Sequence, residues 1–310
     1  MTSRALTSAA ALAAAGAAAL AWASLVEVRW FALREFTVPV LEPGQRPVRV
    51  LHLADLHLLP NQQRKIDWVR DLATLKPDLV IDTGDNLSSV DALPSVLHAF
   101  EPLLDTPGAF VMGSNDYFAP QFKNPVRYLL PNHGVRPLVA PRALPADKLA
   151  VELTSAGWRD LTNRRDAVTA AGLNLALVGV DDAHMDRDAF PPAMPDAESP
   201  SGIDLRIGVT HAPYARVLDA MLADGVDLVF AGHTHGGQLA VPFYGALITN
   251  CDLDTGRAKG LHGWPGPRPD QPGGDVSTWL HVSAGLGTSP FAPVRFAVRP
   301  EATLLTLVPR

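Results

Sequence analysis

Three short, largely apolar runs in the first third of the chain break off into polar residues, and this pattern constrains the fold more than any other feature. Val48–Leu53 leads into Asp55-Leu56-His57, Asp78–Asp82 into Gly84-Asp85-Asn86, and Ala109–Met112 into Gly113-Ser114-Asn115-Asp116. Between the first two runs, Ile66, Val69, Leu72 and Ala73 recur with helical spacing, which predicts an amphipathic helix over about 62–75. A second helix is expected over about 90–100, with Pro94 tolerated near its start. Strand, helix, strand, helix, strand predicts an α/β fold with a parallel sheet. In such sheets ligands bind beyond the carboxyl ends of the strands, where these polar clusters fall.

The pattern continues. Leu173–Val180 and Leu205–Val209 read as strands separated by a loop holding the Pro-rich run 190–200, and the second ends at Thr210-His211-Ala212-Pro213. A helix over about 214–223 leads to the apolar run 227–230, which opens into Ala231-Gly232-His233-Thr234-His235-Gly236-Gly237-Gln238. His-x-His on an extended backbone sends both imidazoles to one side. The flanking glycines permit positive φ and leave room for a substrate. Residues 36–40 read as an edge strand in which Pro39 is tolerated, so the fold is expected to begin near Phe36. Residues 263–274 form a Gly/Pro-rich loop, and 279–283 and 302–308 are closing strands.

A chain of 310 residues with 47% hydrophobic and 19% charged residues can bury a large core. Its net charge of −6 and pI near 5.9 argue against a polymeric nucleic-acid binder working through a basic surface. Cys251 is the single cysteine, which excludes an internal disulfide and a thiolate metal cluster. Ahead of the fold, Arg4 precedes an uncharged, alanine-dominated run over residues 5–26, long enough for one membrane span. Ala21-Trp22-Ala23 also fits a signal-peptide cleavage site. Arg4 on one side and Arg29 and Arg34 on the other leave the orientation open. The expected organisation is a signal peptide or membrane anchor with linker over 1–34 and a single domain over 35–310, membrane-associated or exported.

Asp55 and His57, Asp85, Asn115, His211, and His233 and His235 thus stand at the ends of five predicted strands. Each alone has an ordinary use: Asp85 could cap a helix, Asn115 could make a turn, His57 could be a satisfied half-buried histidine. Together they suit a dinuclear centre of mixed nitrogen and oxygen ligands. With no cysteine ligand the candidate ions are manganese, zinc and iron. A shared carboxylate would hold two ions about 3.5–4 Å apart, the spacing used for in-line displacement at phosphorus.

Asp55-x-His57, Gly84-Asp85, the Gly113–Asp116 turn, His211 and Gly232-His233-Thr234-His235 resemble, in order and spacing, the calcineurin-like metallophosphoesterase family. The resemblance extends from about Pro47 to the C-terminus. It looks closest to a bacterial membrane-associated subgroup related to UDP-diacylglucosamine hydrolases and a cell-wall-associated phosphoesterase. The features pointing there are His235–Gln238 followed by Val241–Ala246, Gly285-Leu286-Gly287-Thr288-Ser289 followed by Arg295 and Glu301, and the N-terminal apolar segment with Glu27 and Trp30. The resemblance implies a four-layer α/β/β/α sandwich and two divalent metal ions. Asp55, His57 and His235 would hold one ion, Asp85 would bridge, and His211 and His233 would hold the other with an asparagine from the Gly113 turn. It also implies attack on a phosphate ester by a metal-bridging hydroxide, on a lipid-linked or cell-envelope substrate. No protein partner is expected.

The chain departs from the family at that turn. The family pattern is Gly-Asn-His-Asp or Gly-Asn-His-Glu, whereas this chain has Gly113-Ser114-Asn115-Asp116. Ungapped, Ser114 falls on the asparagine ligand, and Asn115 could ligate only if the loop shifts by one. The missing histidine removes a general acid, worth roughly 10²–10⁴-fold in rate. Asp116 could substitute, as could His133. Alternatives are a small-nucleotide phosphodiesterase and a non-catalytic metal-binding envelope protein. Gly285–Ser289 could cradle a phosphate or be a structural loop. Arg295 and Glu301 could pair or shape the pocket, and Asp181 and Asp182 could back the ligands or make a turn.

Overall fold

The computed structural model describes residues 2–122, 141–193 and 202–310. His133 and residues 194–200 of the Pro-rich run lie outside the described residues. The alanine run forms helix α1 (Thr2–Ala21), as expected of the strongest helix former, and its last turns reach Arg29.

The first half of the fold follows as β1 (Ala32–Leu41), β2 (Val48–Leu53), α2 (Gln63–Asp71), β3 (Leu79–Asp82), α3 (Leu93–Phe100), β4 (Gly108–Phe110), α4 (Ser114–Tyr117), α5 (Ala146–Ser155) and β5 (Arg159–Asp160). The second half runs β6 (Arg164–Ala170), β7 (Leu173–Gly179), β8 (Leu205–Thr210), α6 (Ala215–Ala223), β9 (Leu228–Ala231), β10 (Ala240–Val241), β11 (Gly245–Ala246), β12 (Gly260–Trp264), β13 (Thr278–Val282) and β14 (Glu301–Pro309).

One sheet has the order β1-β14-β2-β3-β4-β5, the other β12-β13-β9-β8-β7-β6. The first is parallel from β2 to β5, and β14 joins it antiparallel to β2. The second is parallel from β13 through β9 and β8 to β7, flanked by antiparallel β12 and β6. β1 starts at Ala32, four residues ahead of the expected Phe36, because Ala32 to Phe36 pair in register with Glu301 to Leu305 of β14. Pro39 sits in this edge strand, where its missing N–H breaks no ladder bond on the open side.

The two sheets face each other across an apolar layer. Val50, Leu79 and Ile81 of one sheet meet Leu175, Ile207 and Phe230 of the other. The opposite faces are covered by helices: Leu51, Leu53 and Val80 pack against α2, α3 and α5, and Val178, Val229 and Leu280 against α6. Helices therefore flank two central mixed sheets, the four-layer α/β/β/α arrangement. The carboxyl ends of β2, β3 and β4 in one sheet and of β8, β9 and β13 in the other lead into one region.

Candidate metal centre

The loops leaving these strands are wound tightly. Asp55, His57, Asp85, His233 and His235 all adopt positive φ, between 41° and 68°. Non-glycine residues rarely do so, and clusters of such strain mark functional sites. Backbone bonds lock the loops to each other: Asp55 N donates to Gly84 O (2.9 Å), His57 N to Asp85 O (2.9 Å) and Gly232 N to His211 O (2.9 Å). Glycines allow the approach. A Cβ on Gly113 would lie 2.3 Å from Asp85 Oδ1 and 2.8 Å from His211 Cε1, and one on Gly232 would lie 2.7 Å from Asp55 Oδ2.

Two groups of donors result. Asp55, His57 and His235 offer ligand atoms all within 4.8 Å of one another, and so do Asp55, Asp85 and His211. Asp85 Oδ2 has imidazoles on two sides, His57 Nε2 at 3.5 Å and His211 Nε2 at 3.6 Å. His235 Nε2 lies 3.6 Å from Asp55 Oδ1 and 3.2 Å from His57 Nε2.

The far side of the ring fixes the tautomer of His211 and of His233. A carbonyl can only accept, so His211 Nδ1 donates to Thr83 O (2.8 Å) and His233 Nε2 to Asn250 O (3.1 Å), whereas His235 Nδ1 lies between Gly287 O (3.2 Å), which can only accept, and the Arg295 guanidinium (3.1 Å), which can only donate. In the neutral rings of His211 and His233 the remaining nitrogen carries a lone pair. His211 Nε2 is buried with no hydrogen-bond partner in the structure. Imidazole nitrogens converging on carboxylate oxygens, with ring atoms of His57 and His211 left without partners, fit a divalent cation, and carbonyl-bonded histidines are the usual support for one. His233 stands outside both donor groups. It sits edge-on to His211 with ring centroids 5.2 Å apart and presents Nδ1 as its free nitrogen.

The electrostatics of the metal-free chain agree. Burial pushes the Asp55 carboxyl up to about 7, opposed by His211 and reinforced by Asp85. Burial also opposes charge on Asp85, but His211, His57 and the Asn115 bonds hold it below the carboxylate range. For His211 burial works against the proton, yet Asp85, Asp182 and Asp55 together raise it to about 10. Burial lowers His57 to about 4 and keeps His233 and His235 neutral. A site that draws a proton onto a fully buried imidazole is one that attracts cations.

Asn115 reaches the centre and Ser114 does not bond Asp85. Asn115 donates to Asp85 twice, from its backbone N to Oδ1 (2.7 Å) and from Nδ2 to Oδ2 (2.7 Å). The carboxylate of Asp116 turns the other way. It is fully buried and accepts N–H groups from Gly113, Asp85, Asn86 and Leu87 at 2.8–3.3 Å. Both oxygens are tied to backbone N–H groups, which gives this carboxylate a structural use beside the acid role expected of it. The amides of Gly285, Leu286 and Gly287 are taken by Ser283 Oγ, Ala54 O and Asp55 O, so this part of the loop is structural. Arg295 bonds Ala284 O, Gly285 O and Gly287 O from a fully buried position and so shapes the turn that supports His235. Glu301 pairs with Arg34 (3.0 Å). Asp181 binds Tyr117 and Arg187, while buried Asp182 lies among the charges around His211.

Four supporting residues were not singled out from sequence. Asn250 accepts from His233 but sits in an uncharged stretch with no distinguishing pattern. Asp82 ends an apolar run and was legible as a polar strand terminus; its carboxylate accepts from Asn86 Nδ2 (2.7 Å). His52 and His281 form a fully buried pair between the sheets, Nδ1 to Nδ1 at 2.8 Å, with His52 Nε2 3.1 Å from Thr83 Oγ1. His52 alternates with Val48 and Val50 on the inward face of β2, which is the only hint of its burial.

Residues 48–237 match the calcineurin-like phosphoesterase family. The chain is 26% identical over 292 residues to phosphodiesterase YaeI of Escherichia coli (strain K12), covering 91% of this chain and 90% of that protein. It is 24% identical over 292 residues to an uncharacterized metallophosphoesterase of Aquifex aeolicus, covering 92% and 94%. It is also 27% identical over 231 residues to a bovine (Bos taurus) transmembrane protein with metallophosphoesterase domain, covering 67% of this chain and 45% of that protein. With the match spanning most of the fold and both donor groups, the chain belongs to the calcineurin-like phosphoesterase family of divalent-metal-dependent phosphoester hydrolases.

Proposed function

We propose that the chain hydrolyses a phosphate ester at a two-ion centre bridged by Asp85, with residues 5–26 holding a catalytic unit of residues 35–310 at a membrane. The observation that carries this reading is Asp85 Oδ2 between His57 Nε2 and His211 Nε2, at 3.5 and 3.6 Å. Asp55, His57 and His235 would hold one ion; His211 and His233, through Nδ1, would hold the other. When bound, two such ions lower the pKa of a shared water and neutralise phosphate oxygens.

The chain's own residues do the rest. Asn115 fixes Asp85 by two bonds and leaves its carboxylate charged. Thr83 and Asn250 orient the rings of His211 and His233, and Gly287 and Arg295 that of His235. The Gly113 turn carries no histidine. Departure of the leaving group then depends on the group's own acidity, with a cost of roughly 10²–10⁴-fold for a poor one. Phosphodiester chemistry is favoured by the name of the E. coli relative.

The membrane reading rests on a 23-residue apolar stretch, Thr7–Arg29. Ala23, the last residue of the cleavage-like motif, is buried and its carbonyl accepts Arg295 N (3.0 Å). A motif tucked into the fold supports an uncleaved anchor over a removed signal peptide. The bovine relative's description as a transmembrane protein is in keeping with this. A lipid-linked or cell-envelope ester is the substrate class that an anchored enzyme would meet.

One observation favours a second reading, a metal-binding envelope protein without turnover: the turn that supplies a histidine in the family supplies Ser114 and Asn115 here. The deciding experiment gives the full chain, in detergent and stripped of metal, manganese, zinc or iron. It then follows p-nitrophenyl phosphate and bis-p-nitrophenyl phosphate beside an Asp85→Asn control. Metal-dependent turnover that falls more than about 100-fold in the control is expected, since a shared ligand matters at least as much as its supporting partners. Two bound ions without turnover on either ester would put the binding protein first.

A further inference from the structure

Two stretches beside the candidate site carry no charge at all. Residues 236–251 and 283–294 contain no Asp, Glu, Lys or Arg, in a chain in which 19% of residues are charged. The fold makes them neighbours: Phe296 N donates to Gln238 O (3.1 Å) and Ala240 N to Phe296 O (2.9 Å). Strands β10 and β11 close the first stretch into a hairpin. Its large side chains point outward, Phe243 fully exposed and Tyr244 at 75%, with Leu239, Val241 and Leu247 also exposed. Phe291 of the second stretch is exposed as well. A contiguous apolar surface on a soluble face marks a contact site.

Its position names the occupant. Ala23 at the end of the apolar helix bonds Arg295, and the next residue, Phe296, bonds the base of the hairpin. Helix end and hairpin are thus two backbone spacings apart, roughly 10 Å. Around the helix end stand Trp22 and Trp30, both partly exposed and edge-to-face at 5.9 Å, with Arg299 over the Trp30 ring at 4.1 Å. Trp and Arg at the end of an apolar span mark the membrane–water interface. The hairpin lies at that level.

We infer that the hairpin Leu239–Leu247 and the Phe291 loop form a second, shallow contact with the bilayer that holds α1, so that the candidate metal centre faces the headgroup layer. This rests on the reading of residues 5–26 as an anchor. The hairpin leaves from His235 and returns to Asn250, the residue that holds His233, so it fixes the depth of the centre directly. Apolar side chains of this kind insert about 5–10 Å into the headgroup–acyl boundary.

The test uses the full chain in phosphatidylcholine–phosphatidylglycerol vesicles, with Cys251→Ser and a nitroxide on a single introduced cysteine. Phe243→Cys and Tyr244→Cys read the hairpin and Leu12→Cys the anchor. Val276→Cys, exposed at the opposite end of β13 from the site, reads the aqueous face. Collision rates with oxygen and with a polar nickel chelate give depth. The oxygen-to-nickel ratio at both hairpin positions is expected to exceed that at Val276→Cys by roughly several-fold, with Leu12→Cys, deeper in the bilayer, higher still. A lipid-like ratio at Leu12→Cys with a Val276-like ratio at both hairpin positions overturns the contact and leaves the anchor standing. A water-like ratio at Leu12→Cys removes the anchor, and this inference with it.

Discussion

Four backbone N–H groups converge on the carboxylate of Asp116, from Gly113, Asp85, Asn86 and Leu87. Removing that acceptor leaves several buried donors unpaired, at about 1–3 kcal/mol each. Asp116→Ala is expected to cost at least about 3 kcal/mol, or roughly 6–12 °C in Tm by differential scanning calorimetry. Asp116→Asn keeps one acceptor oxygen, and a pH–rate profile of this variant on bis-p-nitrophenyl phosphate should retain its alkaline limb. Loss of that limb would restore Asp116 as the acid. Sequence alone did not separate the two uses, because an aspartate at a turn can point either way. The ligand types were legible for a different reason. Asp55, His57, Asp85, His211, His233 and His235 are polar interruptions of apolar runs, and burial at a strand end leaves few uses for such residues.

At the scale of elements, the site is a set of strand-to-loop turns held at van der Waals contact. The turn after β4 is among the tightest: Gly113 has ordinary extended backbone, φ −109°, so its requirement is space alone. Gly113→Ala must open the turn from Asp85 and His211. We expect a loss of about 10–100-fold in manganese affinity by isothermal titration, the range for disturbed ligand support, with α-helical circular dichroism unchanged. Unchanged affinity would mean that the turn is not part of the centre. The strands carrying these turns were legible because central parallel strands, covered on both faces, read as continuous apolar runs. The edges were not. β6 is the half-exposed Arg164–Ala170 and β12 the glycine-bearing Gly260–Trp264, each at one end of its sheet, where pairing to a neighbour overrides a weak pattern. α5 does carry a helical period, with Ala146, Leu149 and Leu153 inward, but is short and begins beside Pro145.

At the scale of the whole molecule, the centre concentrates buried ionisable groups where two sheets end, and this sets how stability responds to pH. Burial raises Asp55 to about 7, Asp116 to about 7 and Asp82 to about 8. Carboxylates with raised pKa hold protons in the folded chain that the unfolded chain has released. Their contribution is complete below the ordinary carboxylate pKa and is lost as pH rises through the folded values. His211, raised to about 10, acts in the same direction above 6.5. Lys65, lowered by burial to about 7, opposes them, and so do the buried histidines of lowered pKa, an opposition that fades as pH rises about one unit past 6.5. Between pH 6.5 and 8 the metal-free folded chain therefore holds a net excess of protons, on the order of one at most, at about 1.4 kcal/mol per proton per pH unit. Calorimetry of the full chain in detergent with EDTA should show Tm falling by about 5 °C over this window. Divalent ions require the same groups deprotonated, so manganese should raise Tm more at pH 8 than at pH 6.5. A metal-free Tm that climbs across the window would mean that the carboxylates are already ionised in the fold, held by charges other than the ones identified around Asp85. A manganese effect independent of pH would separate the proton-binding groups from the ligands, and Asp55 and His211 would then have to leave the centre.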